Sequence, residues 1–266
     1  MTESEPSVLC DIDARGVAYV RLNRPNVNNA YDGAMVDALL AGASALGEDP
    51  NVRVIVISGN GKHFQAGADL DWLMSVRETD AEENLRVSTN TTEAVRVLDC
   101  CPKPTVALVH GACFGGGTGI IAACDIVVAA DDAIFSIAEV RWGLHAGPII
   151  PQLAAAIGPR QVRRYAITAE RFDAKTAEKL GLVHTVCSRD GLEPEGERIV
   201  DAILMNGPTG VAATKRILFE TQGLDLDDAT AMKLADGHAR QRQSAEAAEG
   251  LASFKEKRQA SWYTPK

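Results

Sequence analysis

The chain has 266 residues, of which 46% are apolar and 24% charged, and a formal net charge of −9. That length suits one large domain with or without an appendage, and the apolar share can fill a sizeable core. The acidic balance speaks against nucleic acid as a general partner, because phosphate binding needs a basic footprint.

The N-terminal segment, Met1-Thr2-Glu3-Ser4-Glu5-Pro6, is acidic and polar, unlike a signal or transit peptide. No apolar run approaches the roughly eighteen residues that span a bilayer. A soluble, cytoplasmic protein with no membrane partner is therefore expected. The six cysteines form no C-x-x-C pair and share no metal-like spacing with the five histidines. They read as reduced, mostly apolar side chains, and no metal site is expected.

In chain order, Ser7–Ile12 and Val17–Leu22 read as a hairpin turning at Asp13-Ala14-Arg15-Gly16. Asn23-Arg24-Pro25 ends the second strand, and apolar positions from Tyr31 to Leu46 recur at helical spacing. Val54–Ser58, Thr105–His110 and Ile126–Ala130 are short continuous apolar runs, the pattern of strands buried on both faces. A helix is expected over Glu82–Asp99 and a short apolar one around Ile121–Cys124. Buried strands alternating with helices predict an α/β fold with a mostly parallel sheet. Beyond about residue 190 the pattern turns helical, with helices expected at Leu192–Met205, Thr209–Thr221, Leu226–Gln241 and Ala245–Lys257. The chain thus divides into a core, residues 1–190, and a helical C-terminal region, residues 191–266.

Two glycine-containing loops follow buried strands: Gly59 to Leu70 and His110 to Gly119. In open α/β sheets ligands bind beyond the carboxyl ends of the strands. The Gly115-Gly116-Gly117 run also opens the short apolar helix, where free N–H groups and the helix dipole favour negative charge. One donor from each loop could hold a single oxyanion. Taken singly, either loop is better explained by tight turns and close packing. Neither has the order of a nucleotide P-loop or a dinucleotide fingerprint.

Taken together, Phe64-Gln65-Ala66-Gly67-Ala68-Asp69-Leu70 and His110-Gly111-Ala112-Cys113-Phe114-Gly115-Gly116-Gly117, with Ala123-Cys124-Asp125 beyond, resemble the two signature regions of the crotonase (enoyl-CoA hydratase/isomerase) superfamily. The likeness extends through Leu22-Asn23-Arg24-Pro25, Pro102-Lys103-Pro104 and Phe254-Lys255-Glu256-Lys257-Arg258. It implies a crotonase-type spiral of ββα turns with a helical C-terminal region, assembled as a homotrimer or a hexamer of two trimers. It further implies an acyl-CoA substrate, with CoA carried on the substrate and no separate cofactor. By the family pattern the Ala68 and Gly116 N–H groups bind the thioester oxygen. The CoA nucleotide lies along Asn26, Val27, Asn28 and Ala30, and along Ala66, Ala68, Asp69 and Leu70. Phe254 and Lys257 close over it, from a neighbouring subunit.

Many family hydratases carry two glutamates. At the first position this chain has Gly119; the second matches Glu139, among apolar residues where desolvation would raise its pKa and suit it to proton exchange. The other reading of Glu139 is a surface carboxylate paired with Arg141. The Gly-Gly-Gly-Thr-Gly run, Ser136 to Leu144 and Ala166 to Ala174 look most like the bacterial 3-methylglutaconyl-CoA and isohexenylglutaconyl-CoA hydratase branch. That branch acts on branched acyl chains ending in a carboxylate, in leucine or acyclic terpene breakdown. Gly119, Trp142, His145 and Gly147 are the expected lining of the acyl end, although a lone loop histidine is more often structural; Arg141 and Arg77 could hold the distal carboxylate, although a surface ion pair is the commoner role for each. Hydration of a 2,3-enoyl-CoA is the expected reaction. A Δ3-Δ2-enoyl-CoA isomerase with Glu139 as sole base, or a non-catalytic CoA-fold binding protein, are the alternatives.

Overall fold

Three apolar runs build the centre of the molecule, each with alternate side chains on opposite faces. The computed structural model describes residues 5–224 and 226–266; Met1–Ser4, part of the segment read above as unlike a targeting peptide, lie outside the described residues. The main sheet contains β1 (Val8–Ile12), β2 (Val17–Leu22), β3 (Val54–Gly59), β4 (Thr105–Val109), β6 (Ile126–Ala130) and β9 (Thr185–Cys187), adjacent in that order. Only β1 runs antiparallel to its neighbour. A second, three-stranded sheet joins β5 (Ala112–Phe114), β7 (Ile134–Ser136) and β8 (Phe172–Asp173).

Ile55, Ile57, Ala107, Val109, Val127 and Ala129 point into the larger core cluster. That cluster is covered by α1 (Gly33–Glu48), α3 (Ala81–Asp99), α4 (Gly116–Ala122) and α5 (Ile150–Thr168, interrupted at Gly158). Val54, Val56, Val106, Leu108, Val128 and Ala130 face the other way, against Leu192, Val200 and Leu204 of α7 (Leu192–Leu204). The helix that opens the expected C-terminal region is therefore the lid on the sheet's second face. Repetition of long strand, short strand and helix (β4–β5–α4, then β6–β7–α5) gives the spiral of ββα turns.

Two shorter helices, α2 (Leu70–Arg77) and α6 (Ala174–Leu180), complete the spiral, and α8 (Pro208–Thr221), α9 (Asp228–Arg242) and α10 (Ala245–Glu256) form the tail. Lys215 of α8 anchors it: the buried Nζ donates to Asp125 Oδ2 at 2.7 Å and to the Lys103 carbonyl at 3.0 Å. The tail leaves large apolar side chains exposed, among them Leu218, Met232, Leu251 and Phe254. Among the described residues no helix is long and apolar enough to cross a membrane.

Candidate active site

The two glycine-containing loops are bonded to each other before they meet anything else. Phe64 N–H donates to the His110 carbonyl (2.8 Å), Gln65 N–H to Ala112 (3.0 Å), and Phe114 N–H back to Gln65 (2.9 Å). This short parallel ladder brings Ala68 and Gly116 to the same edge. Tyr31 then clasps the first loop from the far side, its N–H donating to Gly67 and its carbonyl accepting from Asp69. Because successive peptide groups in such a pairing point in opposite directions, the Ala68 N–H is turned away from Tyr31. Gly116 is the first residue of α4, where an N–H has no partner four residues back. Among the described residues, neither N–H is bonded within the chain. Gly67 (φ 97°) and Gly115 (φ 51°, ψ −121°), immediately before the donors, hold backbone conformations that side chains disfavour.

The segment expected to line the nucleotide is fixed to the same framework. Asn29 is fully buried, and its amide donates to the carbonyls of Asn60 (2.9 Å) and His63 (2.8 Å). Asn28 and Asn29 both take left-handed backbone, which asparagine tolerates better than most residues. Arg24 reaches Asp69 at 3.1 Å and Asp32 at 3.2 Å; these two aspartates cap α2 and α1 through their side chains. Sequence reasoning did not single out Arg24 or Asn29 as positioning residues, although Arg24 lies in a stretch that carried the resemblance and Asn29 lies within the segment expected to line the nucleotide.

A cavity of about 1790 Å3 opens beside this ladder. It is lined by Val27, Asn28, Ala30, Ala66, Ala68, Asp69, Leu70, Gly116, Glu139, Trp142, His145 and Gly147, so most of the expected site residues converge there. Asn26 and Gly119 do not line it, nor do Phe254 and Lys257, which lie at the end of α10. Gly119 is buried, and a Cβ built on it would meet Ile149 Cγ2 at 2.1 Å. The expected acyl-end residue is thus a packing contact, and Ile149 fills the space a second carboxylate would need.

Glu139 begins a short 3-10 turn after β7. Its Oε1 lies 3.0 Å from the position of a Cβ built on Gly115, and its buried Oε2 has no partner among the described residues. Burial pushes its carboxyl above the usual range, against smaller opposing hydrogen bonds from the backbone of Glu139 and Ala138. The pairing with Arg141 is not formed: that guanidinium donates to the Ala169 carbonyl at 2.7 Å. Arg77 is largely exposed and contacts Glu78. Arg171, not anticipated from the sequence, lines the cavity, lies over the Phe114 ring (5.2 Å to the centroid) and enters no ion pair among the described residues. His145 accepts from the Gly147 N–H at 3.1 Å, which stabilises its own turn. Tyr31, also unforeseen as a site residue, lines the cavity beside Gly116.

Two unbonded peptide donors and a desolvated carboxylate on a ββα spiral define the crotonase class, whose chemistry is proton transfer next to a stabilised oxyanion. Residues 13–265 match the profile of the enoyl-CoA hydratase/isomerase family, and the chain belongs to that family. It is 34% identical over 250 residues to a putative enoyl-CoA hydratase of Thermus thermophilus, covering 94% of this chain and 98% of that protein. A peroxisomal Δ(3,5)-Δ(2,4)-dienoyl-CoA isomerase of Arabidopsis thaliana is 34% identical over 222 residues, covering 79% and 80%. The crystal structure of an enoyl-CoA hydratase from Shewanella pealeana superposes with a TM-score of 0.91 at 36% identity, covering 96% of each chain.

Proposed function

We propose that this chain hydrates the 2,3 double bond of a branched enoyl-CoA, 3-methylglutaconyl-CoA or isohexenylglutaconyl-CoA. The observation that carries this reading is the Glu139 carboxylate, its Oε2 without a partner among the described residues, beside the Ala68 and Gly116 donors. The thioester oxygen sits between those two N–H groups. Water attacks C3, the C2=C3 electron pair moves onto the thioester as an enolate, and the donors hold the negative charge. Glu139 accepts one proton from the water and returns it to C2 as the enolate collapses, so H and OH are added and the enzyme is regenerated. CoA lies along the loops at residues 26–30 and 66–70, and Phe254 and Lys257 close over it from a neighbouring subunit of a homotrimer or hexamer. The exposed apolar surface of α8–α10 supports such an assembly.

The cavity exceeds the roughly 300–1,000 Å3 of ordinary small-molecule pockets, which supports a ligand as large as a whole CoA thioester. Arg77, Arg141 and Arg171 all line the cavity; we assign Arg171 to the distal carboxylate, because Arg141 donates to the Ala169 carbonyl and Arg77 contacts Glu78. The test is to incubate the protein with both glutaconyl thioesters and crotonyl-CoA and follow product mass. Gain of one water is expected, lowered by about 10²- to 10⁴-fold in Glu139→Gln. Arg171→Ala should raise KM for the glutaconyl substrates but not for crotonyl-CoA. Near-normal turnover by Glu139→Gln would refute the assignment of the proton carrier.

One observation favours a second reading. With Ile149 occupying the second carboxylate position, Glu139 is well suited to carrying a proton between carbons, as in a Δ3-Δ2-enoyl-CoA isomerase. A shifted double bond with no mass change on 3-enoyl-CoAs would favour it.

A further inference from the structure

Hydration with a single carboxylate leaves one hydrogen of the attacking water without a protein partner. Resting on the hydratase reading, we propose that the Tyr31 hydroxyl positions that water opposite Glu139, making the polar contact that a carboxylate at residue 119 would otherwise make.

Three features of the site support this. The Tyr31 backbone is held on both sides, by Gly67 and Asp69, so the direction of its side chain is fixed. Its ring packs edge-on against Trp72, with centroids 5.7 Å apart, and lies directly beside Gly116: a Cβ built there would be 2.7 Å from Tyr31 Cε1 and 3.4 Å from Cζ. Glu139 stands against Gly115 in the same way. The phenol and the carboxylate therefore flank two consecutive residues, the second of which is an oxyanion donor. At the remaining corner Ile149 presents only hydrocarbon.

The hydroxyl has no hydrogen-bond partner among the described residues. Burial first, and the nearby Glu139 charge second, push its pKa up to about 12, so it stays neutral across the working pH range. A neutral phenol there does not compete with Glu139 as a base. Its oxygen accepts a hydrogen bond from the water hydrogen that is not transferred. As the water oxygen bonds to C3, its other proton passes to Glu139 and on to C2, and the hydrogen held by Tyr31 remains on the product hydroxyl. Tyr31 is unchanged at the end.

The test compares two reactions of Tyr31→Phe, which keeps the ring and its packing. One is hydration of the preferred enoyl-CoA. The other is exchange of the C2 hydrogens of butyryl-CoA with D2O, which uses the two donors and Glu139 but adds no water. Hydration kcat should fall about 10- to 100-fold, the effect of losing one hydrogen bond to the reacting water, while KM and the exchange rate change by less than about twofold. Equal losses in both reactions would mean a packing role and overturn the assignment, as would undiminished hydration. A wild-type protein that exchanges C2 hydrogens but adds water to no enoyl thioester removes the hydratase reading, and this assignment with it; unimpaired hydration by Tyr31→Phe removes the assignment alone.

Discussion

Glu139 combines an unpartnered carboxylate oxygen with surroundings that resist its charge. Its carboxyl is raised above the ordinary value of about 4.3, so ionising it in the folded state is unfavourable relative to the unfolded chain. The stability linked to this group is fully present below the unfolded-state pKa and is lost as pH rises through the higher folded-state pKa. Glu139→Gln, which carries no charge at any pH, should therefore melt above the wild type at pH 7–8. The difference should shrink on acidification, as followed by calorimetry across pH 4–8. The same shift places the acid limb of kcat/KM for the wild type above the ordinary carboxylate range.

At the scale of elements, the contact between α4 and the turn before α5 departs most from the expected site. Gly119→Ala forces a methyl group onto Ile149, and overpacking of this kind costs about 1–3 kcal/mol. Denaturant unfolding should show that loss, and adding Ile149→Ala should recover part of it, because the two positions share one contact. Much of this level was legible in the sequence. Ile126–Ala130 was bounded as observed, and the hairpin, β3, α3 and the tail helices were placed to within a few residues, since continuous apolar runs and helical periodicity report burial directly. The stretch from 131 to 190 was not. Its strands β7, β8 and β9 are two or three residues long, too short for alternation to register, and α5 is broken at Gly158-Pro159. In the site, Ala68, Gly116 and Glu139, which line one cavity, were picked out by motifs that constrain the main chain. Tyr31 and Arg171 were not, because their relevance depends on which distant backbone they lie against.

For the molecule as a whole, Lys215 is a buried attachment of the tail to the body of the fold. Lys215→Ala leaves Asp125 without its cation and should destabilise the protein by about 1–3 kcal/mol, with faster proteolysis of the tail than of the spiral. The apolar side chains exposed on α8–α10 lead to a further expectation: sedimentation should give a trimeric or hexameric mass, and a monomeric mass would count against a neighbouring subunit supplying Phe254 and Lys257.

Both donors assigned to the oxyanion are peptide groups, so neither is encoded by a particular side chain. Short of proline, an exchange at Ala68 or Gly116 leaves an N–H in place. Residues 31, 119 and 139, by contrast, vary the walls around that fixed pair. On the proposed reading, holding an enolate depends on the path of the backbone, while what is done with the enolate depends on side chains that a single substitution can change. A scaffold divided in this way can diversify among reactions without first having to rediscover catalysis.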